Sequence, residues 1–332
     1  MNCDRTAGRR VIRRPGAARQ WGCDLNGSAA SPARQVVLVT GAGSGVGRAV
    51  SQVLARAGHC VYASMRLNGE HGPEQADDAR QFAAREGTDL RVIEMDVLSE
   101  ASCRAAVDQV FGEQGRLDVV VNNAGMLMVG VTEAFVPEQL AQIFDTNAIS
   151  WLRVNRAVLP AMRRQGRGVL VYISSTTAHI FEPFIGPYVA SKAAGEALAE
   201  AMGLEVSRSG IETVIVVPGA FTSGTEHFMH AHAPADGAVV AQYGDLSAVI
   251  PLLGARLDAI DAANGGALDV SAVGEAIRRA LDLPHGDRPA RIVVDAQRKG
   301  VEDLIALHRD KQAAFLEQLG IGDLLGVPAD KR

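Results

Sequence analysis

No apolar run in the sequence approaches the roughly 18 residues that a bilayer-crossing helix needs, so no membrane partner is expected. Cysteine is scarce as well. Cys3, Cys23, Cys60 and Cys103 form no Cys-x-x-Cys pair and no Cys/His ligand spacing, which excludes a disulfide scaffold and a structural zinc module and makes the expected location cytoplasmic. A basic face is missing too. The net charge of -5 divides into +5 for residues 1–34, which carry seven Arg, no Lys and two Asp, and -10 for the rest. An acidic body argues against nucleic acid as a partner. Residues 1–34 also lack the apolar segment of a secretory signal and any spacing suited to a core. They are expected to be a disordered Arg-rich tail, with an organellar presequence or a wrongly chosen start as alternatives.

What is present is an ordinary globular composition, 47% hydrophobic and 21% charged. From residue 35 onward, short β-branched runs alternate with longer Ala-rich amphipathic segments. The runs at 36–39, 60–63, 90–94, 117–121, 168–173, 212–217 and 291–294 predict strands, and 46–57, 73–86, 99–114, 137–165, 187–209 and 271–282 predict helices. The expected fold class is α/β: a Rossmann-type doubly wound parallel sheet of about seven strands with helices on both faces. The strandless stretch 221–270 predicts a helical lid, and 299–319 one more helix. The domain reading is a tail at 1–34, a catalytic domain at 35–298 and a helical extension at 299–332.

Directly after the first run comes Thr40-Gly41-Ala42-Gly43-Ser44-Gly45-Val46-Gly47, entering a helix. Glycines permit a tight turn and let backbone N–H groups approach a pyrophosphate at the positive end of the helix dipole, so Gly41, Ser44, Gly45, Val46 and Gly47 are candidate cofactor residues. An NAD site of this kind expects a carboxylate about 20 residues on. Along the chain the first acidic residue after Gly41 is Glu70, and the second run ends Ala63-Ser64-Met65-Arg66. Arg66 suits a 2′-phosphate, so NADP(H) is the preferred cofactor and NAD(H) the possible one. Further on, Tyr188 and Lys192 stand one helical turn apart. A phenol working as acid or base near neutrality needs a positive neighbour, and Lys192 supplies one.

Over residues 35 to 295 these motifs resemble the short-chain dehydrogenases/reductases. The resemblance rests on the TGxxxGxG turn, Asn122-Asn123-Ala124-Gly125, Asn147 in Asp145-Thr146-Asn147-Ala148, Ser175 in Ile173-Ser174-Ser175, the Tyr188/Lys192 pair and Pro218-Gly219, all in order. It implies a catalytic set of Asn147, Ser175, Tyr188 and Lys192. Ser175 would bond the substrate oxygen, Tyr188 would transfer the proton, Lys192 would lower the Tyr188 pKa and hold the nicotinamide ribose, and Asn147 would hold a relay water. It further implies cofactor contacts from Asp96, Val97, Asn123, Ala124, Gly125, Pro218, Gly219 and Thr222, with Asp96 equally readable as a helix cap. Ser150 stands where the family often has Gly, and the long lid and C-terminal helix depart from the shorter acyl-carrier-protein reductases.

His227, His230 and His232 are not read as a metal site, because hydride chemistry needs none. Phe181, Phe184, Phe221, Phe228 and Met229 are read as an apolar substrate mouth, with lid-to-core packing as the alternative. The expected function is NADPH-dependent reduction of an apolar ketone or aldehyde. The rivals are an NAD-linked alcohol or hydroxysteroid-like dehydrogenase, and a non-catalytic NADP(H)-binding regulator. The resemblance also implies a homodimer or homotetramer through helices 137–165 and 187–209.

Overall fold

The computed structural model describes residues 33–226 and 228–328; residues 1–32 of the expected tail, with Cys3 and Cys23, and His227 lie outside the described residues. Seven parallel strands form one sheet: β1 Val36–Val39, β2 Cys60–Met65, β3 Leu90–Glu94, β4 Val119–Asn122, β5 Gly168–Ile173, β6 Ile211–Pro218 and β7 Arg291–Val294. Their order is β3-β2-β1-β4-β5-β6-β7, so the sheet winds outward in both directions from the junction of β1 and β4. Ligands of such sheets bind at that switch point, outside the carboxyl ends of the strands.

The near-continuous apolar runs are explained by burial on both faces. Side chains alternate across the sheet. Val37, Val39, Val119 and Val121 face a cluster built with α1 Gly45–Arg56, α2 Gly72–Glu86 and α9 Ser271–Leu281. Val36, Leu38, Val120 and Leu170 face a second cluster built with α3 Glu100–Gln114, α5 Ser150–Gln165 and α6 Gly186–Ser207, which also takes Val301 from α10 Val301–Gln318.

One stretch differs from the sequence expectation, and a second is helical as expected. The single helix expected over 137–165 is α4 Pro137–Phe144, a wider π turn Asp145–Ile149, and α5. A π turn inserts one residue into the helical repeat, often at functional positions. The lid stretch holds α7 Gly237–Gln242, a 3-10 segment Gly244–Leu252 and α8 Leu253–Ala263. It closes on Val131, Ala134 and Phe184 through Val239, Val240, Tyr243, Val249, Ile250 and Leu253, a small core of its own.

Candidate active site

The glycine turn after β1 is sewn to the turn after β4. Thr40 Oγ1 accepts the backbone N–H groups of Asn123 (2.9 Å) and Ala124 (3.0 Å) and donates to the Val121 carbonyl (3.3 Å). Asn123 Nδ2 returns hydrogen bonds to the carbonyls of Thr40 (2.9 Å) and Gly41 (3.1 Å). Gly41 has φ +62°, and a Cβ there would lie 2.9 Å from Ala124 Cα. A Cβ on Gly47 would run into the Gly41 carbonyl and Asn123 Nδ2. Asn123, read from the sequence as a cofactor contact, thus spends its amide on shaping the turn. Gly125 borders Asn147 Oδ1 and Lys192 Nζ instead, 3.2 and 3.7 Å from where its Cβ would be.

At the start of α1 the Ser44 side chain makes no capping bond, and no acidic residue stands in the first turn. The first amides therefore remain the positive end that an anion would meet. Two neighbours lean on this turn: Gln75 of α2 packs over Gly43, and Thr225 Oγ1, from the segment after β6, lies 2.9 Å from the Cβ position of Gly45.

Arg66 leaves β2 exposed, with no side-chain acceptor among the described residues. Glu94, distant along the chain, lies at the same edge. It pairs in register with Met65 across β2 and β3, and its carboxylate accepts the Leu67 N–H at 2.6 Å. An acidic group thus reaches this edge through the neighbouring strand. Asp96 accepts the Leu98 N–H at 3.0 Å while its own N–H goes to Ser102 Oγ at 2.9 Å, so it shapes the entry to α3, which Ser99 caps. The Val97 carbonyl accepts from Arg153 at 3.3 Å.

Ser175, Tyr188, Lys192 and Asn147 converge beyond β5. Ser175 Oγ accepts from the Thr177 N–H (3.2 Å) and Thr177 Oγ1 (3.0 Å), and shares a hydrogen bond with the Tyr188 phenol. Lys192 is buried one turn along α6. Its Nζ donates to the Ile173 carbonyl at 2.8 Å and stands 5.6 Å from the ring centres of both Tyr188 and Trp151. Asn147, fully buried in the π turn, grips Met126: Oδ1 accepts its N–H (2.8 Å), while Nδ2 donates to its carbonyl (2.9 Å) and to Ser191 Oγ (2.9 Å).

Burial pushes the Tyr188 phenol up to about 12, with Glu182 adding to the rise and the Ser175 hydrogen bond opposing it. Burial likewise pushes Lys192 down to about 8, against the pull of Glu196. With only the chain's own groups around it, the phenol therefore stands above its free value rather than below it, contrary to the expected effect of Lys192. The physical reason is desolvation, while the Lys192 ammonium directs its hydrogen bond at a backbone carbonyl.

Pro218 ends β6 and Gly219 follows it. The Gly219 N–H donates to the Val294 carbonyl (2.9 Å), and Gln297 holds Ala220 from both sides, accepting its N–H (2.8 Å) and donating to its carbonyl (3.0 Å). The Thr222 hydroxyl is engaged by Asp258 of α8. Lys299 Nζ reaches Thr176 Oγ1 (3.1 Å) and Glu182 (2.6 Å), tying the start of the C-terminal segment to the serine turn. Gln297, Lys299 and Glu182 carry no local sequence signal, because each contact joins distant parts of the chain.

Of the five expected mouth residues, Phe184 and Phe221 are buried, whereas Phe181, Phe228 and Met229 are 73, 45 and 77% exposed. Phe184 holds φ +67°, a conformation costly for a bulky residue, and its carbonyl accepts the Gly130 N–H at 2.7 Å. His230 lies 3.2 Å from Glu226, and its ring centre is 6.4 Å from that of His71. Among the described residues no helix is long and apolar enough to cross a membrane.

The family model for short chain dehydrogenases matches residues 35–234. A 3-ketodihydrosphingosine reductase of Bacteroides thetaiotaomicron is 37% identical over 190 residues, which make up 57% of this chain and 65%, just under two thirds, of that protein. Among solved structures, a short-chain dehydrogenase from Streptomyces avermitilis superposes with TM-score 0.64 at 29% identity, covering 86% of this chain and 96% of that one. An actinorhodin polyketide ketoreductase with NADPH superposes with TM-score 0.64 at 29% identity, covering 79 and 95%.

Proposed function

Because the chain belongs to the short-chain dehydrogenase/reductase family, we propose that it uses NADP(H) to reduce an apolar ketone or aldehyde to an alcohol. The observation that carries this reading is the hydrogen-bonded Ser175–Tyr188 pair, backed by buried Lys192, at the carboxyl end of β5. The uncapped start of α1 and the unpartnered Arg66 fit the pyrophosphate and 2′-phosphate of such a cofactor. When bound, the nicotinamide supplies the hydride. Tyr188 donates a proton to the substrate oxygen and Ser175 a hydrogen bond, so the developing oxyanion meets two preplaced hydroxyls. Asn147 fixes the Met126 backbone and Ser191 beside them. The reductive direction agrees with the names of the Bacteroides relative and the polyketide ketoreductase.

A second reading, NAD-linked oxidation of an alcohol, is favoured by one observation: the Glu94 carboxylate beside Arg66, able to accept from a ribose hydroxyl. Titration of the protein with NADPH and NADH separates the two. The proposal extends to a homodimer or homotetramer through the α4–α5 and α6 faces, which light scattering tests directly. For the chemistry, Tyr188→Phe should abolish NADPH oxidation across a panel of carbonyls while leaving NADPH affinity within about threefold, roughly 0.6 kcal/mol. Full activity in that variant would overturn the mechanism. Tight cofactor binding by the unmodified protein without turnover of any carbonyl or alcohol would favour a regulatory binder.

A further inference from the structure

Residues 188, 192, 196 and 200 of α6 follow one another at intervals of four, so Tyr188, Lys192, Glu196 and Glu200 share a face. Glu196 is 4% exposed. One carboxylate oxygen accepts from Arg291 Nε at 2.9 Å, with His179 Nε2 standing 3.1 Å away off the hydrogen-bonding axis; the other accepts the hydroxyl of Ser174, which precedes Ser175. Arg291, at the start of β7, already makes two bonds to Glu200, at 3.3 and 2.6 Å, and exposed His308 of α10 lies 3.9 Å beyond. Arg291 is therefore neutralised without Glu196. Burying a second carboxylate here carries a desolvation penalty before its pairing is counted, which asks what else it does.

Lys192 gives the answer. Around its Nζ stand Tyr188 on α6, the Ile173 carbonyl on β5, Asn147 on the π turn and Trp151 on α5, and Glu196 follows one turn along the same face of α6. Among these described neighbours Glu196 alone carries a negative charge at neutral pH.

We propose that Glu196 is a positioning residue for the reaction centre: its carboxylate fixes the Ser174–Ser175 strand end and is the counter-charge that keeps the buried Lys192 ammonium protonated. The electrostatics agree. Burial opposes ionisation of Glu196, yet His179, Ser174 and Arg291 hold its carboxyl down to about 2, so it is charged at any working pH. Glu196 in turn raises Lys192 against burial. The catalytic consequence rests on the functional reading above; the charge relation does not.

The sequence makes the test simple, because it holds four lysines, Lys192, Lys299, Lys311 and Lys331. In the full-length protein carrying 13C at the lysine ε carbons, Lys192 is assigned by the signal lost in Lys192→Arg, and its titration is followed by NMR. Glu196→Gln should lower the Lys192 midpoint by about one pH unit or more, and Glu196→Asp by less. Glu200→Gln, which touches Arg291 but lies two turns from Lys192, should leave it in place. An unmoved midpoint in Glu196→Gln overturns the proposal, and if that variant does not fold, an unmoved midpoint in Glu196→Asp does so. The alkaline limb of kcat/KM for carbonyl reduction should shift with the midpoint. Absence of activity with a shifted midpoint refutes the functional reading alone, and activity with an unshifted midpoint refutes the role of Glu196 alone.

Discussion

On the proposed reading, cofactor choice turns at the residue scale on Arg66 against Glu94. A guanidinium without an acceptor gains two charge-assisted hydrogen bonds from a phosphate, whereas the Glu94 carboxylate already accepts from the Leu67 amide and repels a phosphate brought near it. Arg66→Ala should therefore weaken NADPH at least tenfold, about 1.4 kcal/mol, and leave NADH unchanged in a fluorescence titration. Equal weakening of both cofactors would mean that Arg66 acts only on local structure. A separate residue-scale test lies in the glycine turn. The Cβ of Gly47→Ala meets backbone oxygen and an amide that the turn needs, so the cost should be about 1–3 kcal/mol in chemical unfolding, with cofactor binding lost as well. Gly112→Ala, with nothing within 4 Å and an ordinary helical position, should leave cofactor binding unchanged and raise stability by roughly 0.5–1 kcal/mol.

Elements rather than single residues decide how firmly the serine turn is held. Lys299, just before α10, bonds Thr176 and neutralises Glu182, the acidic group that raises the Tyr188 phenol. In Lys299→Met the unpaired Glu182 charge should raise that phenol further, so the pH at which alcohol oxidation sets in moves upward while NADPH affinity stays within about twofold, roughly 0.4 kcal/mol. A lower onset or an unchanged one would contradict the assignment. The same region shows what a sequence reveals. The sheet was legible because strands buried on both faces must be apolar throughout, as in Val119, Val120 and Val121, and the Tyr188/Lys192 pair because helical spacing is local. The π turn at Asn147 was not, since one extra residue in a helical track leaves the amphipathic pattern almost unchanged. Nor was Glu94, which reaches the Leu67 amide across strands, or Lys299, which is 123 positions from Thr176. Contacts of that kind follow from register and topology, which pattern reading supplies only in outline.

For the molecule as a whole, the reaction centre is a cost that the rest of the fold must exceed. Glu196, held down to about 2, contributes stability that is present above about pH 4.5 and lost as the pH falls toward 2, so it should help set the acid limit. Lys192 acts in the opposite sense. Its folded value of about 8 lies below the ordinary 10.5, so between these values the unfolded chain binds the extra proton and stability rises with pH; below 8 the buried ammonium carries its full cost, on the order of 3 kcal/mol. Tyr188, at about 12, contributes stability below about pH 10 that disappears by 12. The consequence for Lys192→Met is specific. The substitution keeps the buried volume and leaves Glu196 paired with Arg291, while removing a cation whose burial is unfavourable. The variant should lose turnover yet melt several degrees higher than the unmodified protein at pH 6–7, with the difference shrinking as the pH climbs past about 8. A melting temperature lower than that of the unmodified protein at neutral pH would mean that the Ile173 hydrogen bond and Glu196 together outweigh the desolvation of Lys192, and that the centre is stabilising rather than strained.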